Sequence, residues 1–228
     1  MNDSNQWNPN SSSLTLSPPV RFPVKHNALK RLFDVIFSVL VLVVTFPLMV
    51  FIALSVRFSS KGNIVYAHER IGRGGKPFRC YKFRTMHSDA DTRLKEILEG
   101  CPILKNEWEQ TQKLRKDPRV TPIGKFLRQT SLDEFPQFWN VLRGDLSIVG
   151  PRPVVHHEVT QHLGPKAAKI LSIRPGLTGL WQVSGRSDIS YAHRIKMDEQ
   201  YVDSQSIYLD LKIISKTIPC MFFSKGAY

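Results

Sequence analysis

Cysteine is the first thing this chain has little of. Cys80, Cys101 and Cys220 are its only three among 228 residues, and they are widely separated. An odd, scattered set excludes a disulfide framework and fits a reducing compartment, so all three are read as packing residues. Acidic side chains are also few, 19 against 32 Lys and Arg, which leaves a formal net charge of +13. That imbalance calls for an anionic partner: nucleic acid, a phosphorylated substrate or lipid headgroups. Zinc-ligand spacing is missing as well. His156, His157 and Glu158 are neighbours whose side chains diverge, and no fourth ligand recurs near His162. Gly72-Arg73-Gly74-Gly75 lacks the Gly-Lys-Ser/Thr ending of a phosphate loop and reads as a turn. Finally, charge of either sign is absent from Val35 to Val56.

That uncharged stretch supplies about 22 residues where roughly 20 in a helix suffice to cross the hydrocarbon layer. Pro47 sits in its middle, where it deletes a backbone hydrogen bond and bends the helix, and Thr45 is placed to satisfy a freed carbonyl. Positive residues flank both ends, Arg21, Lys25, Lys30 and Arg31 before, Arg57 and Lys61 after, so the positive-inside rule picks no orientation for a single span. A helix that breaks at Pro47 and returns to the same face satisfies the rule at both ends, and this re-entrant form is preferred to a spanning one. Residues 1–25, rich in Ser, Asn and Pro, read as a disordered tail without a cleavable signal peptide. Residues 26–60 then form the inserted helix, and residues 61–228 a cytosolic domain with room for one core.

Within that domain, Asn63–His68 and Lys76–Met86 are β-branched and aromatic and predict a hairpin about the glycine turn. Residues 88–114 read as helical and polar, and Ile123–Arg128 as a short amphipathic piece. Tyr191–Phe223 predicts an amphipathic helix, equally compatible with a membrane interface and with core packing. The expected fold class is α+β and mainly helical: a monotopic membrane protein with a Pro-broken re-entrant helix, a small β-hairpin and interfacial amphipathic helices.

Chemistry concentrates in Ser131–Pro153. Leu132, Phe135, Phe138, Trp139 and Leu142 recur at helical spacing, and Gly144 is a natural stop. Ser131 and Glu134 have the spacing of a capping box, with Pro136 tolerated in a first turn. Asp133 is left over. A carboxylate at a helix start stays ionised, can meet a metal or a phosphate-bound cation, and can attack phosphorus to form an acyl phosphate. Further on, Ile173–Arg186 is punctuated by Gly and Pro and carries Arg174, Arg186 and Trp181, which suits a nucleoside diphosphate: cations for phosphate and a flat face for a base.

Ser131-Leu132-Asp133-Glu134, then Asn140-Val141-Leu142-Arg143-Gly144-Asp145-Leu146-Ser147, then Gly150-Pro151-Arg152-Pro153 resemble the signature of the bacterial polyprenyl-phosphate sugar-1-phosphate transferases. The resemblance runs from about Lys30 to Tyr228, with Leu146 where methionine is common, Thr45-Phe46-Pro47 where Ser-Pro is common, and Gln205 where tryptophan is common. It implies a re-entrant helix broken at Pro47. It also implies an attack by Asp133 on a UDP-sugar, assistance from Glu134, and Mg²⁺ held by that pair. The sugar-1-phosphate would pass to undecaprenyl phosphate with release of UMP. Phosphate-facing cations would be Lys82 and Arg84 in Lys82-Phe83-Arg84-Thr85-Met86, with Arg128, Arg152, Arg174 and Arg186. Glu107-Trp108, Leu180–Arg186 and the ending Gly226-Ala227-Tyr228 resemble the galactose-1-phosphate branch. Glucose-1-phosphate or an N-acetylated amino sugar is the alternative within the same chemistry, and a basic membrane-anchored binding or scaffold protein the alternative outside it. Expected surroundings are the bacterial inner membrane, the catalytic domain facing the cytoplasm, anionic lipids and no nucleic acid. A homodimer is allowed.

Overall fold

The computed structural model describes residues 22–111, 114–185 and 190–222. The first and longest element is α1, Ala28–Ser59, opened by Asn27, whose side chain accepts from the Lys30 backbone N–H at 3.0 Å. β1 (Val65–Ile71) and β2 (Pro77–Phe83) pair antiparallel, from Val65 opposite Phe83 to Ile71 opposite Pro77, across a tight turn at Arg73–Gly75. This is the hairpin that the sequence predicts. Three helices follow: α2 (Ala90–Gly100), α3 (Pro102–Thr111) and α4 (Pro122–Thr130). After them come α5 (Gln137–Arg143), β3 (Ser147–Val149) and the short α6 (His156–Glu158) and α7 (Ala167–Ile170). The chain continues through β4 (Gly176–Thr178) to α8 (Tyr191–Ser204) and α9 (Ile207–Phe222).

Two departures from the sequence reading have local causes. β3 and β4 form a second small sheet, parallel, with Ser147 opposite Gly176 and Val149 opposite Thr178. Strands this short carry no alternation to read. The C-terminal amphipathic piece is two helices, because Gln205 leaves helical geometry (φ −52°, ψ 120°). The tail expected to be disordered through residue 25 is held from Phe22 on. Phe22 packs against the cluster of Ile71, Leu163 and Ile170, and the Lys25 N–H donates to Ser172 O at 2.8 Å.

α1 is long and apolar enough to cross a membrane, alone in this among the described helices. Its ends differ from its middle. Lys30, Asp34 and Ser38 are buried near the start, and Ile52 and Val56 near the end; Leu40, Val43, Val44, Phe46 and Phe51 between them are exposed. Pro47 lies in that bare middle and offers no N–H to the Val43 carbonyl. Thr45 Oγ1 donates to Val41 O at 2.7 Å, so it does not serve the freed group. Both ends are fastened to the same domain. Arg31 donates to Val141 O at 2.5 Å and to Leu142 O at 2.7 Å, which caps the end of α5. Arg84 donates to Ser60 O at 2.6 Å and to Val56 O at 3.3 Å, which caps the end of α1.

The start of α1 is fixed by buried charge. Lys30 Nζ lies 2.6 Å from Asp34 Oδ1 and 3.0 Å from Asp210 Oδ2 of α9. Asp34 Oδ1 also accepts from Ser147 Oγ and the Ile148 N–H, both at 3.1 Å. Tyr201 of α8 donates to Asp210 Oδ1 at 2.6 Å. One ammonium thus links α1, β3, α8 and α9 beside the core of Val141, Leu146, Val149, Tyr201 and Ile213. Removing it strands two buried carboxylates, and loss of one partner of a buried ion pair costs about 3–5 kcal/mol. Lys30→Ala is therefore expected to lower the thermal midpoint of the detergent-solubilised chain sharply, whereas Lys95→Ala on exposed α2 leaves it unchanged.

Candidate active site

The site is built from the end of β2 outward. Thr121 opens α4: its Oγ1 accepts from the Gly124 N–H at 3.0 Å and its N–H donates to Thr85 O at 3.0 Å. A Cβ at Gly124 would overlap the Thr85 carbonyl, so only glycine lets α4 lie directly on the backbone that follows β2. Arg128 then donates from Nε to Thr85 Oγ1 at 2.9 Å.

α4 ends at Ser131, which has φ 56° and is the sole non-glycine residue in the left-handed region among the described residues. Such backbone is unfavourable by about 1–3 kcal/mol and recurs at functional sites, where the surroundings hold it. The capping box expected of Ser131 and Glu134 does not form. Ser131 closes α4 instead of opening a helix, its side chain caps nothing, and Glu134 is drawn to Lys82. Leu132–Glu134 makes one 3-10 turn, and Leu132 and Phe135 pack on Ile52, Val56, Phe83 and Leu127. The turn carrying the two carboxylates is thereby seated on the far end of α1.

α5 begins after Pro136 and stops at Gly144 (φ 86°), as the pattern predicts. Its fully buried Asn140 ties it to β2. Asn140 Oδ1 accepts from the Tyr81 N–H at 3.0 Å, and Nδ2 donates to Arg79 O at 2.7 Å and to Asp145 Oδ2 at 3.1 Å. The Asn-to-Asp half of the signature is in this sense a structural clamp.

Asp133, Glu134, Lys82, Arg84, Arg128 and Arg152 all line one cleft of about 1180 Å³. Phe37 and Val41 of α1 and Ile214 and Ile218 of α9 share its walls, so polar and apolar surfaces meet there. Lys82 Nζ is 2.5 Å from Glu134 Oε1 and 3.9 Å from Asp133 Oδ2. Burial pushes the Asp133 carboxyl up to about 6, against the pull of Lys82 and Arg128 and with help from Glu134. Burial works against charge on Lys82 too, but Glu134 and Asp133 outweigh it and raise the ammonium above its ordinary value. Arg84 is partly committed, since it caps α1. Arg174 does not join the group: its Nε donates to Gly144 O at 2.9 Å in a separate, small cleft. Arg186 lies outside the described residues.

The cleft also gathers residues that the sequence does not single out. Arg70 of β1 and Arg194 of α8 line it. Arg152 and Arg194 stand over the Trp181 ring at 5.6 and 4.7 Å, so that buried ring orders guanidinium groups where a stacking face for a base was expected. Asp198 of α8, pushed up to about 7 by burial, accepts from the Arg152 backbone N–H and holds that loop. Alternation along β1 puts Arg70 on the face of Lys82, a signal that a hairpin register alone would supply. Arg194 and Asp198 carry no such local signal.

Residues 25–224 match the bacterial sugar transferase family. This chain belongs to that family. Over 200 residues it is 49% identical to the exopolysaccharide production protein ExoY of Sinorhizobium fredii, covering 87% of this chain and 88% of that one. It is 44% identical over 200 residues to the undecaprenyl-phosphate galactose phosphotransferase of Salmonella typhimurium, covering 88% of this chain and 42% of that protein. It is 40% identical over 206 residues to the UDP-glucose:undecaprenyl-phosphate glucose-1-phosphate transferase of Klebsiella pneumoniae, covering 87% of this chain and 41% of that one. As a bacterial sugar transferase the chain is an enzyme, and the cleft around Asp133 is its candidate active site.

A raised carboxyl in the folded state favours the protonated form, so its contribution to stability is present below pH 3.8 and lost as pH climbs through about 6. A two-unit shift corresponds to about 3 kcal/mol. Asp133→Asn is expected to melt higher than the parent above pH 6 and to coincide with it near pH 4, in matched thermal scans. A carboxylate serving only as a helix cap would give the opposite sign.

Proposed function

We propose that this sugar transferase moves galactose-1-phosphate from UDP-galactose to undecaprenyl phosphate, releasing UMP, as the first step of an exopolysaccharide repeat unit. The observation that carries the reading is a buried carboxylate, flanked by Lys82 and Arg128, in a cleft shared with apolar residues of α1 and α9. One substrate is a soluble dianion and the other an anion on an isoprenoid tail, and these walls suit both. The relatives' names support the class of reaction. Galactose rests on the Salmonella protein's name and on Glu107-Trp108 and Leu180–Arg186, while the Klebsiella protein's name keeps glucose as the second reading.

In this mechanism an Asp133 carboxylate oxygen attacks the phosphorus that bears the sugar. The new P–O bond forms as the bond to the UMP oxygen breaks, and UMP leaves with that electron pair. The acyl phosphate on Asp133 is then attacked by a phosphate oxygen of undecaprenyl phosphate, which restores the carboxylate and yields the diphosphate-linked sugar. The nucleophile and leaving groups are phosphate or carboxylate oxygens already ionised near neutrality, so no general base is required. Lys82 and Arg128 stabilise charge on the transferring group, and Glu134 holds Lys82 in place. Asp133 and Glu134 fit Mg²⁺ in the way that ion is usually bound, through one or two carboxylates plus substrate phosphates; among the described residues no third His, Cys, Asp or Glu joins them. When bound, the ion would offset diphosphate charge.

The membrane arrangement belongs to the same proposal. A straight helix as long as α1 would reach about 48 Å, yet both of its ends are fastened to one domain while its middle stays bare. That supports a re-entrant α1, broken at Pro47, in the inner membrane with the domain in the cytoplasm, where UDP-sugars are supplied. Single cysteines at His26 and Lys61, in a chain whose own three are replaced, are expected to react with an impermeant reagent from the same side of inverted vesicles. Reaction from opposite sides establishes a spanning helix.

Purified protein is expected to release UMP from UDP-galactose only with undecaprenyl phosphate present for turnover, and Asp133→Asn to lose at least a thousandfold in rate, since it removes the nucleophile. Release from UDP-glucose alone moves the specificity to glucose; release from no UDP-sugar by folded protein returns the chain to a binding role. The rate is expected to rise with pH through about 6 as Asp133 ionises, then level. Lys82→Met is expected to move that rise to higher pH.

A further inference from the structure

We infer that Lys25, Arg31, Arg73 and Arg174 form a binding site for the phosphate of an anionic phospholipid headgroup, beside the point where α1 enters the membrane. The inference rests on membrane insertion of α1 and not on the transfer chemistry. Two guanidinium groups from distant parts of the chain, Arg31 and Arg174, meet at the end of α5, and a third, Arg73, lies near both. Arg31 and Arg174 flank Gly144 so closely that a Cβ there would meet Arg31 Nη2 at 3.6 Å and Arg174 Nε at 3.8 Å. Arg73, from the hairpin turn, shares a small cleft with Arg174 and Lys25. Burial and the charge of Arg31 push the Arg73 guanidinium below its ordinary range, and burial, Arg73 and Arg31 do the same to Arg174.

Carboxylates compensate this charge only in part. None of the four cations is ion-paired among the described residues. Asp34 lines the same cleft and offsets part of the charge on Arg174, but its Oδ1 is held by Lys30, Ser147 and the Ile148 N–H, and one carboxylate stands against four cations. Capping the last turn of α5 accounts for Arg31 and Arg174, whose contacts with Val141, Leu142 and Gly144 carbonyls use only part of five donors each. It does not account for Arg73, which brings like charge to like charge, or for Lys25, which lines the same cleft. A phosphate oxygen between them removes that repulsion and uses the spare donors.

The depth identifies the phosphate's source. Arg31 precedes Val35, the first residue of the uncharged stretch, by about one turn, or roughly 6 Å along the axis. A bilayer whose hydrocarbon core is about 30 Å thick has its headgroups within about 5–8 Å outside that core. A headgroup phosphate stands at that level, and nucleotide substrates are served by a different cleft.

The test offers phosphatidylglycerol and phosphatidylcholine to the detergent-solubilised full chain in mixed micelles and counts retained lipids by native mass spectrometry. The parent is expected to prefer phosphatidylglycerol. Arg73→Gln and Lys25→Gln are each expected to lower that preference about fivefold, the effect of one cation near an anionic surface, while Arg73→Lys keeps it. Soluble glycerol phosphate is expected not to displace the lipid at equal concentration. Equal retention of the two lipids, a preference that survives the double variant, or displacement by glycerol phosphate mole for mole overturns the proposal, the last by showing a free-phosphate site. The readout needs no activity, so it stands apart from the test of UMP release.

Discussion

The Lys30 ammonium between Asp34 and Asp210 is the interaction on which the rest of the structure depends. It joins the first helix to the last and, through Asp34, to the strand that leads toward Arg152. A buried ion group contributes little net stability, because desolvation of its members offsets most of their attraction. What it supplies is register. Apolar side chains alone would let a helix as greasy as α1 slide or rotate on the domain; two carboxylates sharing one ammonium, with Tyr201, Ser147 and a backbone N–H filling other positions, admit a single placement.

From that anchor the placement runs to the Asp133 carboxylate. α1 leaves the domain after Ser38 and returns with Ile52 and Val56, and these two residues form the seat for Leu132 and Phe135 on either side of the Asp133–Glu134 pair. Ser131, in its left-handed conformation, turns the chain out of α4 and onto that seat. The depth of α1 and the position of Asp133 are therefore one quantity, set by packing. The burial that fixes the turn also disfavours ionised Asp133, and Lys82 and Arg128 offset only part of that. In the nucleophilic role proposed for Asp133, a carboxylate that loses water and keeps a nearby cation would be more reactive than one in bulk solvent, so stability and reactivity would pull in opposite directions at this position.

What the sequence made legible is what local patterning controls. The hairpin, the long apolar helix and the glycine stop at Gly144 follow from short motifs or periodicity, while the gathering of Asp133, Glu134, Lys82, Arg128 and Arg152 in one cleft was legible only through the resemblance to a family. Failures mark competition between neighbouring signals. Ser131-x-x-Glu134 has the letters of a capping box, but Thr121 had already opened a helix that needed Ser131 as its end, and Lys82, far away in sequence, took the Glu134 side chain. Asp34 and Asp210 were invisible as a pair because their relation is purely tertiary. Arg174 was expected at the cleft and Arg194 was not singled out, for the same reason: which arginine reaches the cleft depends on how α8 and the segment after α7 pack, and neither is written in its own neighbourhood.

Positive charge, read at first only as a sum of +13, separates in space into two functions. Arg31, Arg84 and Arg174 bind the carbonyls at helix ends, where partial negative charge is fixed and the guanidinium fork satisfies several acceptors at once. Lys82, Arg128, Arg152, Arg70 and Arg194 face the cleft, where Asp133 and Glu134 are fewer than the cations around them. Such a division disfavours a nucleic-acid surface, which spreads cations along a backbone path. It favours small, deep anions met one at a time. Trp181 sharpens the point: Arg152 and Arg194 both stand over its ring, which orders two guanidinium groups along the cleft. In the proposed reaction a diphosphate entering the cleft would meet guanidinium groups already in place, so the site would be organised for its ligand before the ligand binds.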